Sequence, residues 1–151
     1  MTQPSWTDVL TAISAAGIGL IGLYFAFRQE VMSRLKWKHE LYDRRMAIYV
    51  AAGQSIGFMF RNGKLTDEDL FEFLQATRES DFLLNEKITE RLQEMYRRAV
   101  HLQTLDFELE DLPVGDERTA KVHERADIKV WYIDQADELK ELFTPFLKLS
   151  T

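Results

Sequence analysis

Nineteen consecutive residues without a charge, VLTAISAAGIGLIGLYFAF from Val9 to Phe27, constrain this chain more than any other feature. At about 1.5 Å per residue such a helix spans about 28 Å, close to the roughly 30 Å hydrocarbon core of a bilayer. Trp6 stands before the run, and Tyr24 and Phe25 stand near its end, where amphipathic rings favour the headgroup level. Ser5-Trp6-Thr7-Asp8 has the form of a capping box, which puts a helix start at the bilayer edge. A secretory signal needs basic residues before its apolar run and small residues at a cleavage site after it. Here the leader MTQPSWTD has no Lys or Arg, and the run ends in YFAFRQE. A soluble core helix needs protein on every side, and the rest of a 151-residue chain is too small to surround this one. Residues 9–27 are therefore expected to be a transmembrane helix, and residues 1–8 a short extracytoplasmic N-terminus.

Charge on either side of the run gives an orientation. Residues 28–64 hold eight basic and three acidic side chains, a net +5, whereas residues 65–151 carry a net −10. Six of the basic groups, Arg28, Arg34, Lys36, Lys38, Arg44 and Arg45, lie close behind the run, and none precedes it. The positive-inside rule then places residues 28–151 in the cytoplasm of a plasma membrane. Within this collar Arg28, Arg34, Lys36 and Lys38 are candidate contacts to anionic headgroups. Interleaved Trp37 and Tyr42 would also suit nucleic acid, but a position beside a span favours lipid. Inside the run, Ala12, Ala15, Ala16, Gly19, Gly22 and Ala26 fall within about 60° of one helical line. Small residues permit close backbone approach in lipid, so this line is a candidate helix-association face.

The remaining sequence reads as all-α: a cytoplasmic antiparallel bundle of about four helices, low in proline and glycine and rich in helix formers. Apolar or aromatic positions from Leu35 through His39, Tyr42, Met46, Tyr49, Gly53 and Ile56 to Phe60 recur at steps of three and four, predicting an amphipathic helix that continues the span as a stalk. Asn62-Gly63 stops it. Thr66 with Asp69 predicts a capping box opening a short helix to about Glu79, and Phe82, Leu83 and Leu84 form an apolar link. Asn85 caps a long helix with Ile88, Leu92, Met95, Ala99, Leu102, Leu105, Leu109 and Leu112 on its inner face, ended by Leu112-Pro113-Val114-Gly115. A last helix runs from about Asp116 to Phe143, with Val122, Ala126, Val130, Ile133 and Leu139 or Phe143 inward, and Thr144-Pro145 breaks it. Lys129-Val130-Trp131-Tyr132-Ile133 is strand-like alone, yet its helix-forming flanks keep it helical.

Chemistry is sparse. The chain has no cysteine, hence no disulfide, thiolate nucleophile or cysteine metal site. His123-Glu124-x-x-Asp127 lacks the second histidine of a zinc-protease helix, and Gly63-Lys64-Leu65-Thr66 lacks the spacing of a phosphate loop. His39, His101 and His123 read as partly exposed helix residues. Glu90 and Glu94, and the run Asp106, Glu108, Glu110 and Asp111, read as a charged helix face rather than acid–base pairs or a cation site. No catalytic, cofactor or metal residue is assigned, and no nucleic acid or small-molecule substrate is implied. The stretches KHELYDRRMAIYVAA, LTDEDLFEFLQATRESDFLL and ELFTPFLKL resemble small bacterial membrane-anchored proteins of uncharacterised function. That resemblance implies a bacterial origin and a helical cytoplasmic domain, and it brings no site.

These features lead to a single-pass membrane protein whose partners are the bilayer and either another protein or further copies of itself. The expected role is a scaffold or interaction module rather than an enzyme. The alternative is an oligomeric, toxin-like or pore-forming effector assembled through the small-residue face; a third reading, an enzyme at the membrane surface, requires a pocket of convergent polar groups. Deleting residues 1–27 should release a soluble domain with a strongly helical circular dichroism spectrum and a cooperative melt. An insoluble or unfolded fragment would refute the predicted division.

Overall fold

The computed structural model describes Arg28 and residues 36–148. By compactness the chain divides into two units, residues 1–40 and 41–151. Of the first, Arg28 and residues 36–40 are described, and all are helical and exposed. The predicted transmembrane helix, its association face (Ala12, Ala15, Ala16, Gly19, Gly22, Ala26) and Arg34 lie outside the described residues. No helix among the described residues is long and apolar enough to cross a membrane.

The second unit is all-helical among its described residues. Helix α1 covers residues 41–62, followed by α2 (Asp67–Thr77), the single turn α3 (Ser80–Leu83), α4 (Glu86–Asp111) and α5 (Asp116–Leu147). The four longer helices form a bundle. Local chemistry sets the boundaries. Gly63, at φ 69°, takes the left-handed conformation that ends α1, and its N–H donates to the Met59 carbonyl at 2.9 Å. The predicted capping box is present: the Asp69 N–H donates to Thr66 Oγ1 at 3.2 Å, and the Thr66 N–H donates to Asp69 Oδ2 at 2.8 Å. Asn85 Oδ1 accepts from the Ile88 N–H at 3.1 Å and opens α4. At the far end of α4, Arg118 reaches back from α5 and donates to the carbonyls of Leu109, at 2.8 Å, and Leu112. Those carbonyls have no partner within their own helix, so the hairpin closes on an arginine as well as on Pro113 to Gly115.

Helices α4 and α5 are antiparallel, as expected: Arg91 meets Glu138, Asp106 meets Arg125 and Glu108 meets Lys121. The α4 reading holds from Ile88 to Leu109, with Ile88, Leu92, Met95, Ala99, Leu102, Leu105 and Leu109 all buried, whereas Leu112, also expected inward, is half-buried beyond the helix end. Contacts between Tyr49 and Phe143, and between Ser55 and Tyr132, lay α1 antiparallel to α5. Gln103 ties the α1–α2 turn to α4 by donating to the Leu65 carbonyl at 2.9 Å and to Asp67 Oδ1 at 3.1 Å.

Three expectations are corrected. The inner face of α5 is Ile128, Tyr132, Gln135, Leu139 and Phe143; Leu139 and Phe143 lie inward as expected, while Val122, Ala126, Val130 and Ile133 are exposed. The helix is rotated by roughly 120° from the predicted apolar line. Its true inner face carries the amide of Gln135 and the hydroxyl of Tyr132, which hydropathy places outside but which find partners here. On α1 the buried line is Ile48, Ala52, Ser55, Ile56 and Met59; of the expected line Ile56 is buried and Tyr42, Met46 and Tyr49 are half-buried, but Gly53 is exposed and so is Phe60, at 73%. The buried line holds the groups that meet α5 there: Ser55 Oγ lies 3.5 Å from the Tyr132 hydroxyl, a polar contact that an apolar count does not register. Pro145 does not end α5, which continues to Leu147. A proline near a helix end removes one donor, and the carbonyl it leaves belongs to an exposed residue, Glu141. The link after α2 also gains structure: α2 ends at Thr77, whose hydroxyl donates to the Phe73 carbonyl at 2.8 Å, and Phe82 sits in α3, 87% exposed.

Tyr132 is fully buried, and burial pushes its phenol up to about 12, opposed in part by the contact with Ser55 at 3.5 Å. The folded state therefore holds this proton more tightly than the unfolded chain, where tyrosine titrates near 10. This contribution is complete below about pH 10 and is lost as the pH rises through about 12, amounting to about 2–3 kcal/mol. Denaturant midpoints measured at about pH 9 and pH 11.5 should diverge by a larger margin in the native chain than in Tyr132→Phe. Separately, Arg118→Ala should cost about 1–2 kcal/mol by uncapping α4, with hydrogen exchange accelerated at residues 109–115.

Candidate functional site: an arginine-lined surface on helix α4

Residues 87, 91, 94 and 98 recur at steps of four, three and four, so α4 brings Lys87, Arg91, Glu94 and Arg98 to one side. That side faces Trp131 of α5. The Arg98 guanidinium lies 4.1 Å from the centroid of the Trp131 ring, and that of Arg91 lies 5.9 Å away. Both distances fall in the range of cation–π attraction. Arg98 Nε donates to Glu94 Oε1 at 2.6 Å, and Arg97 Nη2 donates to Glu94 Oε2 at 2.9 Å. The hydrogen bond from Arg98 is the chief reason that the Glu94 carboxyl is held below the usual carboxylate range, against a smaller opposing effect of burial. Arg91 is fixed from below. Its Nη1 donates to Gln135 Oε1 and to Glu138 Oε2, and Gln135, 1% exposed, donates in turn to the Trp131 carbonyl at 2.9 Å.

Most of the guanidinium N–H groups are left over from these bonds, because each arginine carries five. Stacking and the Glu94 and Gln135 anchors preorganise the forks, so an incoming anion meets donors whose rotamer entropy is already reduced. Around them lie three clefts. One of about 620 Å³ is lined by Lys87, Arg91, Arg97, Arg98, Trp131 and Leu142 among others. A second, of about 390 Å³, sits between α2, α3 and α4 and is mainly apolar, with Phe73, Leu74, Leu92 and Tyr96 in its wall. The third, of about 400 Å³, holds His101, Glu124 and Asp127 beside Ile128. Arg97 borders all three, and its side chain is 67% exposed. The arrangement suits recognition of an extended ligand that carries both charge and an apolar side chain.

The residues singled out from sequence are elsewhere. Arg28, Lys36 and Lys38 are exposed and helical; Lys36 and Lys38, two apart, project from nearly opposite sides of a helix and do not share a face. Arg45, counted in the basic collar, belongs to the bundle: its Nε donates to the Leu83 carbonyl at 2.9 Å, and its guanidinium lies 5.3 Å from the Phe146 centroid. His39, His101 and His123 are exposed, as expected, with His101 at 2.8 Å from Glu124. Among the acids, Glu94 pairs with Arg97 and Arg98, Asp106 with Arg125 and Glu108 with Lys121. No cluster of three or more potential metal ligands occurs among the described residues. The α4 arginines went unassigned in the sequence. Their spacing in KITERLQEMYRRAV was available as a signal, but the facing tryptophan lies on another helix.

No protein family model, no curated protein and no solved structure matches the chain.

The stacking can be weighed directly. A double-mutant cycle of Arg98→Ala and Trp131→Ala, read by denaturant unfolding, should give a coupling of about 0.5–1 kcal/mol; additivity would show that the contact contributes nothing.

Proposed function

We propose that this chain is a membrane-tethered interaction module, in which residues 9–27 anchor a cytoplasmic helical bundle that docks another protein. The observation that carries the reading is the α4 surface, where exposed arginine adjoins Trp131 on one side and the Phe73–Tyr96 cleft on the other. Arginine and aromatic side chains are enriched in protein interfaces and among the residues that dominate their energies. A binding role is favoured over catalysis because the ionisable groups here are engaged with one another: Glu94 is committed to two arginines and held ionised. A general acid or base would be poised near neutrality. Localisation in a bacterial inner membrane, N-terminus outside, is supported by the uncharged run and by the collar that follows it.

A second reading has its own observation, the line of Ala12, Ala15, Ala16, Gly19, Gly22 and Ala26. It makes the chain an oligomeric membrane effector held together by close helix approach. Toxicity on overexpression that is abolished by Gly19→Leu would favour it over the interaction module.

Because the chain has no cysteine, its topology can be measured with single substitutions. In intact bacteria a membrane-impermeant maleimide should label Thr2→Cys and not Val114→Cys, a position 96% exposed in the hairpin loop. Labelling of both or of neither without lysis would overturn the orientation.

A further inference from the structure

We propose that the α4 surface binds an acidic polypeptide segment carrying one bulky apolar side chain, with carboxylates on the arginines and the apolar side chain in the Phe73–Tyr96 cleft. This rests on the reading of the bundle as a protein-interaction module and names the chemistry of its partner. Three features support it.

Charge complementarity is the first. The larger groove is lined by Lys87, Arg91, Arg97 and Arg98 against Glu90 and Glu94, a net positive patch on a region, residues 65–151, that is net −10. Planar guanidinium forks match carboxylates two donors at a time, and Arg98 and Arg91 are already oriented by Trp131 and Gln135. Continuity is the second. The basic groove and the apolar cleft share Gln93 and Arg97 as a common wall, so a single extended segment can occupy both. A small anion would use only the first. The third feature is the spread of negative charge outside the patch. Glu138 pairs with Arg91 at its edge, and Glu124 and Asp127 line the adjoining cleft. A nucleic-acid backbone, charged at every nucleotide, would be carried into those carboxylates, whereas a short segment can confine its acidic groups to the patch.

The test uses the full chain in nanodiscs and fluorescein-labelled twelve-residue peptides, read by anisotropy at low and high salt. The probe peptide has glutamates flanking a central Phe; companions replace the glutamates by glutamine, the Phe by serine, or one glutamate by phosphoserine, and a single-stranded oligonucleotide is run alongside. The acidic Phe peptide should bind, and either peptide substitution should weaken binding roughly tenfold. Arg97→Glu should also weaken it at least tenfold, with the helical spectrum unchanged, because Arg97 is largely exposed and its hydrogen bond is to Glu94 in its own helix. Leu74→Ser should reduce binding of the Phe peptide but leave the weaker serine peptide unaffected. Tighter binding by the phosphoserine peptide keeps the proposal and identifies the anion. Binding that survives Arg97→Glu, equal binding of the glutamine peptide, or stronger binding of the oligonucleotide would each overturn it. A photo-crosslinking residue at Gln93 in living cells separates the two levels. Crosslinks to a protein through a basic segment sink the partner chemistry alone, while crosslinks to no protein, with no peptide bound, sink the interaction module as well.

Discussion

The seam between α1 and α5 is built around two fully buried rings: the Tyr132 hydroxyl lies 3.5 Å from Ser55 Oγ, and the Phe143 ring meets that of Tyr49 at 5.3 Å between centroids. A close-packed interior leaves such rings no room to turn, so these contacts fix the rotation of both helices together. Once Tyr132 is inside, Ile128, Gln135 and Leu139 follow it at helical spacing, and Trp131 is turned toward α4. The arginine surface thus inherits its geometry from a packing decision made on another face of the same helix.

Buried Gln135 extends that link. It lies in the inner line of α5, donates to the Trp131 carbonyl and accepts from Arg91, so a core position orients a surface cation. A buried amide is tolerated only when its donors and acceptor are satisfied. Here the satisfaction comes from the arginine that, with Arg98, stacks on Trp131. Packing in the bundle and preorganisation of the proposed binding surface are therefore coupled through a single side chain.

Legibility in the sequence differed by helix for identifiable reasons. On α4 the apolar residues form one line with charges on the rest, and each inner position was readable from Ile88 to Leu109. Caps were equally readable, since Thr66, Asn85 and Gly63 act through their own neighbours. Helix α5 offers two competing lines. The more apolar one, Val122, Val130 and Ile133, is exposed, because hydropathy cannot foresee that Gln135 and Tyr132 will find partners 44 and 77 residues away. The same non-locality hid the candidate site: RLQEMYRR displays its arginines, but Trp131 and the Phe73 cleft reach them only through tertiary contact.

By itself the sequence determined the all-helical character of the described residues, the starts of the capped helices, the antiparallel α4–α5 hairpin, and an uncharged run with a basic collar on which the proposed anchoring rests. These are consequences of local backbone chemistry and of periodicity along one helix at a time. Tertiary structure decided which faces of α1 and α5 are buried, and that Arg91, Arg97 and Arg98 adjoin an aromatic ring and an apolar cleft. Those outcomes depend on shape complementarity and on polar partners distant in the chain, for which a one-dimensional pattern of hydropathy and charge holds no information.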